Sequence, residues 1–193
     1  MPIPLNWPNL LTLCRIVLIP VVLILIHQGA FIPGFLLASW VFLTDFLDGL
    51  LARKMGMVTP AGMIFDPVAD KLVVLAMFSY LFAVKRVPGW YVGLVFVRDL
   101  AQLASIPILL WWRKIAFKVR PKLIARWGTA LNFAILAYGF CRLWLEAYGY
   151  TDWPYGPIML PVLFVSAAIE IYILVTYLPR FIQIYCGIHD TFE

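Results

Sequence analysis

Apolar and polar residues alternate along this chain in long blocks. Six extended apolar segments are separated by short stretches rich in glycine, proline and charge, such as "HQGAFIP" and "YGYTDWPYGP". A run of about 20 apolar residues has the length of a helix that crosses a bilayer. The pattern therefore predicts six membrane-spanning helices, over residues 10–28, 31–54, 67–84, 90–112, 123–146 and 158–177.

Composition supports this reading and bounds the number of domains. Of the 193 residues, 64% are hydrophobic and 13% are charged, and the mean hydropathy is +0.93. The apolar segments follow one another so closely that no room is left for a water-soluble core. We expect one all-α integral membrane domain over residues 1–193.

The distribution of cations predicts the orientation of the helices. Arg53, Lys54 and the basic residues of 113–126 fall on one side of the predicted spans, whereas the other side offers Lys85 and Arg86. Lysine and arginine are enriched in cytoplasmic loops, so both termini are predicted to be cytoplasmic. The net charge of +5 suits a surface that faces anionic membrane lipids, and it does not indicate a nucleic-acid partner.

Four aspartates lie around a single predicted turn in this apolar chain: Asp45, Asp48, Asp66 and Asp70. A carboxylate at membrane depth is unfavourable unless it faces a wet cavity, pairs with a cation or binds a metal. Spacings of three and four residues place each pair on one face of its helix. Because the linker is short, the two helices should be antiparallel neighbours, and the four carboxylates should converge on one pocket near the cytoplasmic surface.

The chemistry of this pocket points to a diphosphate. Four close carboxylates repel one another, and an all-oxygen ligand set favours hard divalent ions such as Mg²⁺, Mn²⁺ or Ca²⁺, two of which would match the charge. Gly49 and Gly62 would let a bulky ligand approach the backbone, and Arg53 carries a planar group suited to phosphate oxygens. A site at the membrane boundary suits a substrate with a polar diphosphate head and acyl tails.

These residues carry a resemblance to a known family. They form the pattern D-x-x-D-G-x-x-A-R-x8-G-x-x-x-D-x-x-x-D, which begins at Asp45 and ends at Asp70. The pattern is similar to the complete signature of the CDP-alcohol phosphotransferase family. The likeness extends to the six-helix layout and to "PNLLTLCRIVLIP" near the amino end.

The resemblance implies a reaction and a role for each residue. Family members displace CMP from a CDP-linked lipid or alcohol by an acceptor hydroxyl, in a helical bundle whose polar cavity opens to the cytoplasm. Two ions of Mg²⁺ or Mn²⁺ would be held by Asp45, Asp48, Asp66 and Asp70, and Asp70 would also act as the base. The CDP-lipid would contact Asp48, Gly49, Ala52, Arg53 and Gly62. The family likeness also implies a homodimer in a bacterial inner membrane.

Basic residues further along the chain suggest an acceptor that carries a phosphate. The candidates for binding that phosphate are Arg98, Lys118, Arg120, Lys122 and Arg126. The chain most resembles phosphatidylglycerophosphate synthases of the family, which use CDP-diacylglycerol and glycerol 3-phosphate. The segment "RPKLIARWGTALNF" also resembles family cardiolipin synthases, whose acceptor is phosphatidylglycerol.

Several assignments have a structural alternative. Asp66 precedes a proline, so it could serve only as a helix N-cap. Gly49 and Gly62 could be helix-packing contacts. Arg98 and Asp99 could satisfy partners inside the bundle. The basic loop residues would serve topology alone. A divalent-cation transporter is a further alternative. It is disfavoured because the outer halves of the second and third segments carry no ionisable side chain to pass an ion onward.

Overall fold

The computed structural model describes residues 7–41, 43, 62–107, 118–119, 123–150, 155–186 and 191–192. Side chains are described for 14–41, 43, 68–105, 124, 126–150 and 156–186. In these ranges the chain forms six helices: α1 Trp7–His27, α2 Phe31–Val41, α3 Gly62–Ala83, α4 Gly89–Pro107, α5 Leu123–Ala147 and α6 Tyr155–Tyr185. Two strands of two residues each, β1 Lys118–Val119 and β2 Thr191–Phe192, pair in parallel.

Within the described residues a helix is found at each of the six predicted segments, but the predicted ends at residues 54 and 112 lie outside those residues, and two boundaries differ from the prediction by five residues or more. Helix α3 begins at Gly62, five residues before the predicted start, so Asp66 lies inside the helix and the N-cap alternative for it is wrong. Helix α6 continues to Tyr185, beyond the predicted end at residue 177. It runs through Pro161 and Pro179, because each proline removes a single backbone donor and the rest of the apolar helix tolerates this.

Membrane crossing is indicated for one of these helices. Among the described residues, Gly156–Tyr185 is both long and apolar enough to span a bilayer, with a mean hydropathy of 2.4. Two shorter apolar helices are Cys14–His27 and Phe31–Val41. The other five predicted spans remain predictions.

The chain divides into two compact units, Met1–Tyr80 and Leu81–Glu193. In the first unit, Ile19 and Val22 of α1 and Phe78 of α3 are fully or almost fully buried. Helix α2 returns along α1, and the two approach closely at Gly34, where a Cβ atom would lie 3.0 Å from Cγ1 of Ile26. This unit contains the predicted metal ligands.

In the second unit, α6 contacts both α4 and α5. Tyr91 of α4 lies at the centre of this packing and is fully buried. Glycines allow close approach at two places on α5: a Cβ on Gly128 would lie 2.9 Å from Cδ1 of Ile173, and one on Gly139 would lie 2.7 Å from Cδ1 of Leu81. The small residues therefore let the helices of this unit pack backbone to side chain.

Candidate active site

The signature residues of α3 share one face of the helix. Gly62, Asp66 and Asp70 are spaced by four residues within a continuous helix, and this spacing brings successive residues to the same side. The signature residues of the preceding segment lie outside the described residues: Asp45, Asp48, Gly49, Ala52 and Arg53. Their convergence with Asp66 and Asp70 in one pocket therefore stays a prediction.

Asp70 is paired with a buried arginine of α1. A guanidinium nitrogen, Nη1, of Arg15 donates a hydrogen bond to Oδ1 of Asp70. Arg15 is 5% exposed, whereas the side chain of Asp70 is 60% exposed. The carboxylate thus lies at the surface of its unit and is held from behind by a cation. A carboxylate held in this way is fixed in position.

Sequence reasoning did not identify Arg15 as a site residue. The signal for it was present, because Arg15 is the single lysine or arginine of the first predicted span. An ionisable residue inside an apolar span is a functional candidate by default, and its partner should be sought in the neighbouring helices.

Arg98 lies in a buried polar cluster of the second unit. Its Nε atom is 2.9 Å from Oε2 of Glu170 and 3.1 Å from Oδ1 of Asp99. The single N–H of Nε is not aligned with either carboxylate oxygen as a hydrogen bond, so the attraction is mainly between the charges. Arg98 is 6% exposed, Asp99 2% and Glu170 0%. Arg98 and Asp99 therefore have partners inside the bundle, and the acceptor-binding role of Arg98 stays a prediction.

Hydrogen bonds from uncharged side chains extend this cluster across three helices. The amide of Asn132 on α5 donates to Oε1 of Glu170 at 2.8 Å. The hydroxyl of Tyr91 donates to Oδ1 of Asn132 at 2.6 Å and lies 2.8 Å from the hydroxyl of Ser166. Helices α4, α5 and α6 are thus joined by polar contacts that are shielded from lipid and water, where such contacts are strong.

The other predicted acceptor residues lie on the basic stretch and the start of α5. Lys118 belongs to β1, and Arg126 lies in the first turns of α5 with an exposed side chain. Arg120 and Lys122 lie outside the described residues. The structure therefore places one of these four side chains, and it leaves their grouping around a phosphate as a prediction.

The described part of the site agrees with divalent metal binding in its chemistry and its register. Asp70 supplies carboxylate oxygens that reach the surface, and Asp66 precedes it by one turn on the same helix. Carboxylate oxygens are the ligands that Mg²⁺ and Mn²⁺ prefer. Among the side chains that the structure describes, no group of three His, Cys, Asp or Glu residues is suited to hold a metal. The side chains of Asp45, Asp48 and Asp66 are not among those described.

Comparison with known proteins identifies relatives. The chain is 30% identical to the CDP-diacylglycerol--glycerol-3-phosphate 3-phosphatidyltransferase of Aquifex aeolicus over 142 residues, which cover 72% of this chain and 78% of the relative. It is 31% identical over 138 residues to a probable phosphatidylglycerophosphate synthase of Mycobacterium tuberculosis, covering 68% of this chain and 62% of the relative. A probable cardiolipin synthase (CMP-forming) of Drosophila melanogaster is 36% identical over 99 residues, 51% of this chain and 31% of the relative.

No solved structure matches the chain significantly. The match to a protein family covers most of the sequence, from residue 5 to residue 178, and includes the whole aspartate signature. The chain belongs to the CDP-alcohol phosphatidyltransferase family.

Proposed function

We propose that this protein is a phosphatidylglycerophosphate synthase that transfers the phosphatidyl group of CDP-diacylglycerol to glycerol 3-phosphate. The complete eight-position signature from Asp45 to Asp70, in a chain of this family, is the observation that carries the proposal. Two relatives that each align with at least two thirds of this chain, from Aquifex aeolicus and Mycobacterium tuberculosis, are named for the same product or the same acceptor.

The reaction forms one phosphorus–oxygen bond and breaks another. A hydroxyl oxygen of glycerol 3-phosphate attacks the phosphorus that bears the diacylglycerol, the bond from that phosphorus to the bridging oxygen of the diphosphate breaks, and CMP leaves with the electron pair. The proton of the hydroxyl passes to a carboxylate. Asp70 is the proposed acceptor of this proton, since its carboxylate is exposed and fixed from behind by Arg15.

Four aspartates are proposed to hold two ions of Mg²⁺ or Mn²⁺: Asp45, Asp48, Asp66 and Asp70. When bound, such ions stabilise the negative charge that builds on a leaving phosphate. The neighbouring residues proposed to bind and orient the cytidine diphosphate are Asp48, Gly49, Ala52, Arg53 and Gly62. Arg53 would contact a phosphate oxygen through its planar guanidinium, and the glycines would leave room for the ligand beside the helix backbone.

The acceptor phosphate is proposed to bind to cations from the second unit: Arg98, Lys118, Arg120, Lys122 and Arg126. Arg126 has an exposed side chain that is open to a ligand. Arg98 is different, because it already neutralises two buried carboxylates. Its contact with an acceptor would therefore use guanidinium nitrogens other than Nε, and Lys122 and Arg126 are the better positions at which to test acceptor binding.

We further propose that the chain is a homodimer in a bacterial inner membrane, with six spanning helices and the active site open to the cytoplasm. The apolar helix α6 and the excess of cations on one side of the predicted spans support this placement. Accessibility of single introduced cysteines in right-side-out vesicles tests it. Labelling of a cysteine at residue 116 from the outside would contradict the orientation.

The acceptor can be identified with the purified protein. CMP release is measured with CDP-diacylglycerol and Mg²⁺ or Mn²⁺, and glycerol 3-phosphate, phosphatidylglycerol, inositol phosphate and serine are supplied one at a time. We expect release with glycerol 3-phosphate. Release with phosphatidylglycerol alone would instead identify a cardiolipin synthase. This second candidate is favoured by the similarity to the Drosophila melanogaster relative, which extends over about half of the chain.

A further inference from the structure

The start of α5 lies beside the end of α6. A Cβ atom on Gly128, near the beginning of α5, would lie 2.9 Å from Cδ1 of Ile173. Asn132, one turn later on α5, donates a hydrogen bond to Glu170 at 2.8 Å. Later positions on α5 thus meet earlier positions on α6, so the two helices run antiparallel. The chain before α5 and the chain after α6 therefore emerge at the same end of the second unit.

The two segments that emerge at this end pair with each other. Strand β1 precedes α5, strand β2 follows α6, and the two strands are parallel. The register places Lys118 opposite Thr191 and Val119 opposite Phe192. Strand β2 also contacts α6. The chain after α6 therefore returns to the segment that leads into α5.

Two such short segments would not pair in isolation. Each strand has two residues, whereas an isolated two-stranded pair is at best marginally stable in water, and parallel pairing is slightly less stable than antiparallel pairing. The packing of α5 on α6 brings the two segments together and so lowers the entropic cost of pairing them. In return, β2 restricts the backbone of β1 to one extended conformation.

Strand β1 belongs to the basic stretch that carries proposed acceptor-binding residues. Lys118 lies in β1 itself, and three residues separate β1 from Leu123, the first residue of α5. Arg120 and Lys122 are among those three. Four peptide units reach at most about 14 Å, so this part of the chain is tied to β1 at one end and to α5 at the other. A constraint on β1 is therefore also a constraint on the cations that follow it.

We propose that β2 is a positioning element for the acceptor. By pairing with β1, it holds the backbone of the stretch that carries Lys118, Arg120 and Lys122 before the acceptor arrives. A segment that is ordered in advance loses less conformational entropy on binding, so the acceptor phosphate is bound more tightly. Strand β2 has no part in the proposed CDP-lipid site, so its effect falls on the acceptor alone. The inference rests on the proposed function.

Cysteine cross-linking in the full-length protein tests whether β2 pairs with β1. Val119→Cys with Phe192→Cys introduces thiols at two opposed positions, and opposed positions on neighbouring strands are close enough for a disulfide. Val119→Cys with Thr191→Cys is the matched control, because successive residues of a strand point to opposite faces. The native cysteines, all exposed, are replaced by serine: Cys14, Cys141 and Cys186. We expect the opposed pair to form a disulfide under mild oxidation that leaves the control pair reduced.

Proline substitutions in β2 test what the pairing does. Thr191→Pro with Phe192→Pro removes both backbone N–H donors of β2 and leaves the basic stretch itself unchanged. We expect KM for glycerol 3-phosphate to rise about tenfold, while kcat and KM for CDP-diacylglycerol stay at their wild-type values. Thr191→Val with Phe192→Val keeps the donors and suits a strand, so it should keep the wild-type KM for the acceptor. The oxidised Val119→Cys, Phe192→Cys protein should keep it as well, because its strands stay together.

Three results would overturn the proposal. Equal cross-linking of the opposed and control pairs would mean that the strands do not hold this register. An unchanged acceptor KM in the proline variant, or equal rises in the KM of both substrates, would mean that the pairing serves stability alone. A lower acceptor KM would mean that β2 obstructs the basic stretch.

Failure of the proposed function would be seen separately, in the wild-type protein. Release of CMP with phosphatidylglycerol in place of glycerol 3-phosphate would refute the proposed acceptor, and the same KM comparison would then be made with phosphatidylglycerol. Absence of release with every acceptor would refute the reaction and, with it, the role proposed for β2. Cross-linking needs no turnover, so it reports the pairing of the strands in either case.

Discussion

Neutralising Arg98 should destabilise the protein far more than neutralising Glu170, although the two residues are partners. Arg98 is the cation that faces two buried carboxylates, Glu170 at 2.9 Å and Asp99 at 3.1 Å. Glu170→Gln leaves Arg98 paired with Asp99, and the new amide oxygen can still accept the hydrogen bond from Asn132. Arg98→Met leaves two carboxylates, 2% and 0% exposed, without that cation.

The size of the difference follows from these surroundings. Leaving a buried charge without its partner costs about 3–5 kcal/mol, which we expect for Arg98→Met. Weakening a charged contact while its partners stay satisfied costs about 1–2 kcal/mol, which we expect for Glu170→Gln. The double variant should be more stable than the sum of the two changes predicts, by about 1 kcal/mol or more, because removing one carboxylate relieves the repulsion that Arg98→Met creates.

Reversible unfolding in mixed micelles, followed by circular dichroism, measures these free energies. Arg142→Met is a suitable control, because the Arg142–Glu146 pair joins residues four apart on one helix and is less deeply buried, so its loss should change the free energy of unfolding by at most about 1 kcal/mol. The reasoning would be wrong if Glu170→Gln destabilised the protein as much as Arg98→Met, or if the two effects simply added.

Three further predictions concern the reaction. Asp66→Asn and Asp70→Asn should each abolish CMP release, and size-exclusion chromatography should show that each variant stays folded and extractable. Near-normal turnover in either variant would refute the role assigned to that residue. Neutralising Lys122 and Arg126 should raise KM for the acceptor; a rise confined to KM for the CDP-lipid would refute their binding of the acceptor phosphate. Arg15→Met should lower kcat and weaken Mn²⁺ binding, and Arg15→Lys should recover part of both. Mn²⁺ binding is measured without substrate from the paramagnetic signal of the free ion. Unchanged Mn²⁺ binding in Arg15→Met would mean that Arg15 does not position Asp70.

The helices could be predicted from the sequence because their apolar runs are long and turn residues separate them. The boundaries could not be predicted where a local signal opposes the apolar pattern. Asp66 and the proline after it resemble a helix start, but the preceding residues already belong to α3. Proline at residue 179 resembles a helix end, although α6 continues past it to Tyr185. In an apolar environment, intrahelical hydrogen bonding outweighs these local signals.

The partners of buried charges could not be predicted in the same way. Arg15 and Glu170 are ionisable residues within apolar segments of the sequence, but the sequence does not say which side chain each one meets. The pairs Arg15 with Asp70 and Arg98 with Glu170 join residues far apart in the chain. They depend on which helix faces lie together. The left-handed conformation of Lys85 was likewise hidden, because lysine is not a residue that marks such turns.

The most direct test of the proposed activity is the identity and amount of the lipid product. Purified protein is incubated with CDP-diacylglycerol, Mg²⁺ and radiolabelled glycerol 3-phosphate, and the labelled lipid and the CMP are both quantified. We predict one phosphatidylglycerophosphate for each CMP, with neither product from Asp70→Asn and with normal products from the tail control Asp190→Asn. CMP release without label in the lipid, or labelled product from Asp70→Asn at the wild-type rate, would contradict the proposed reaction or its base.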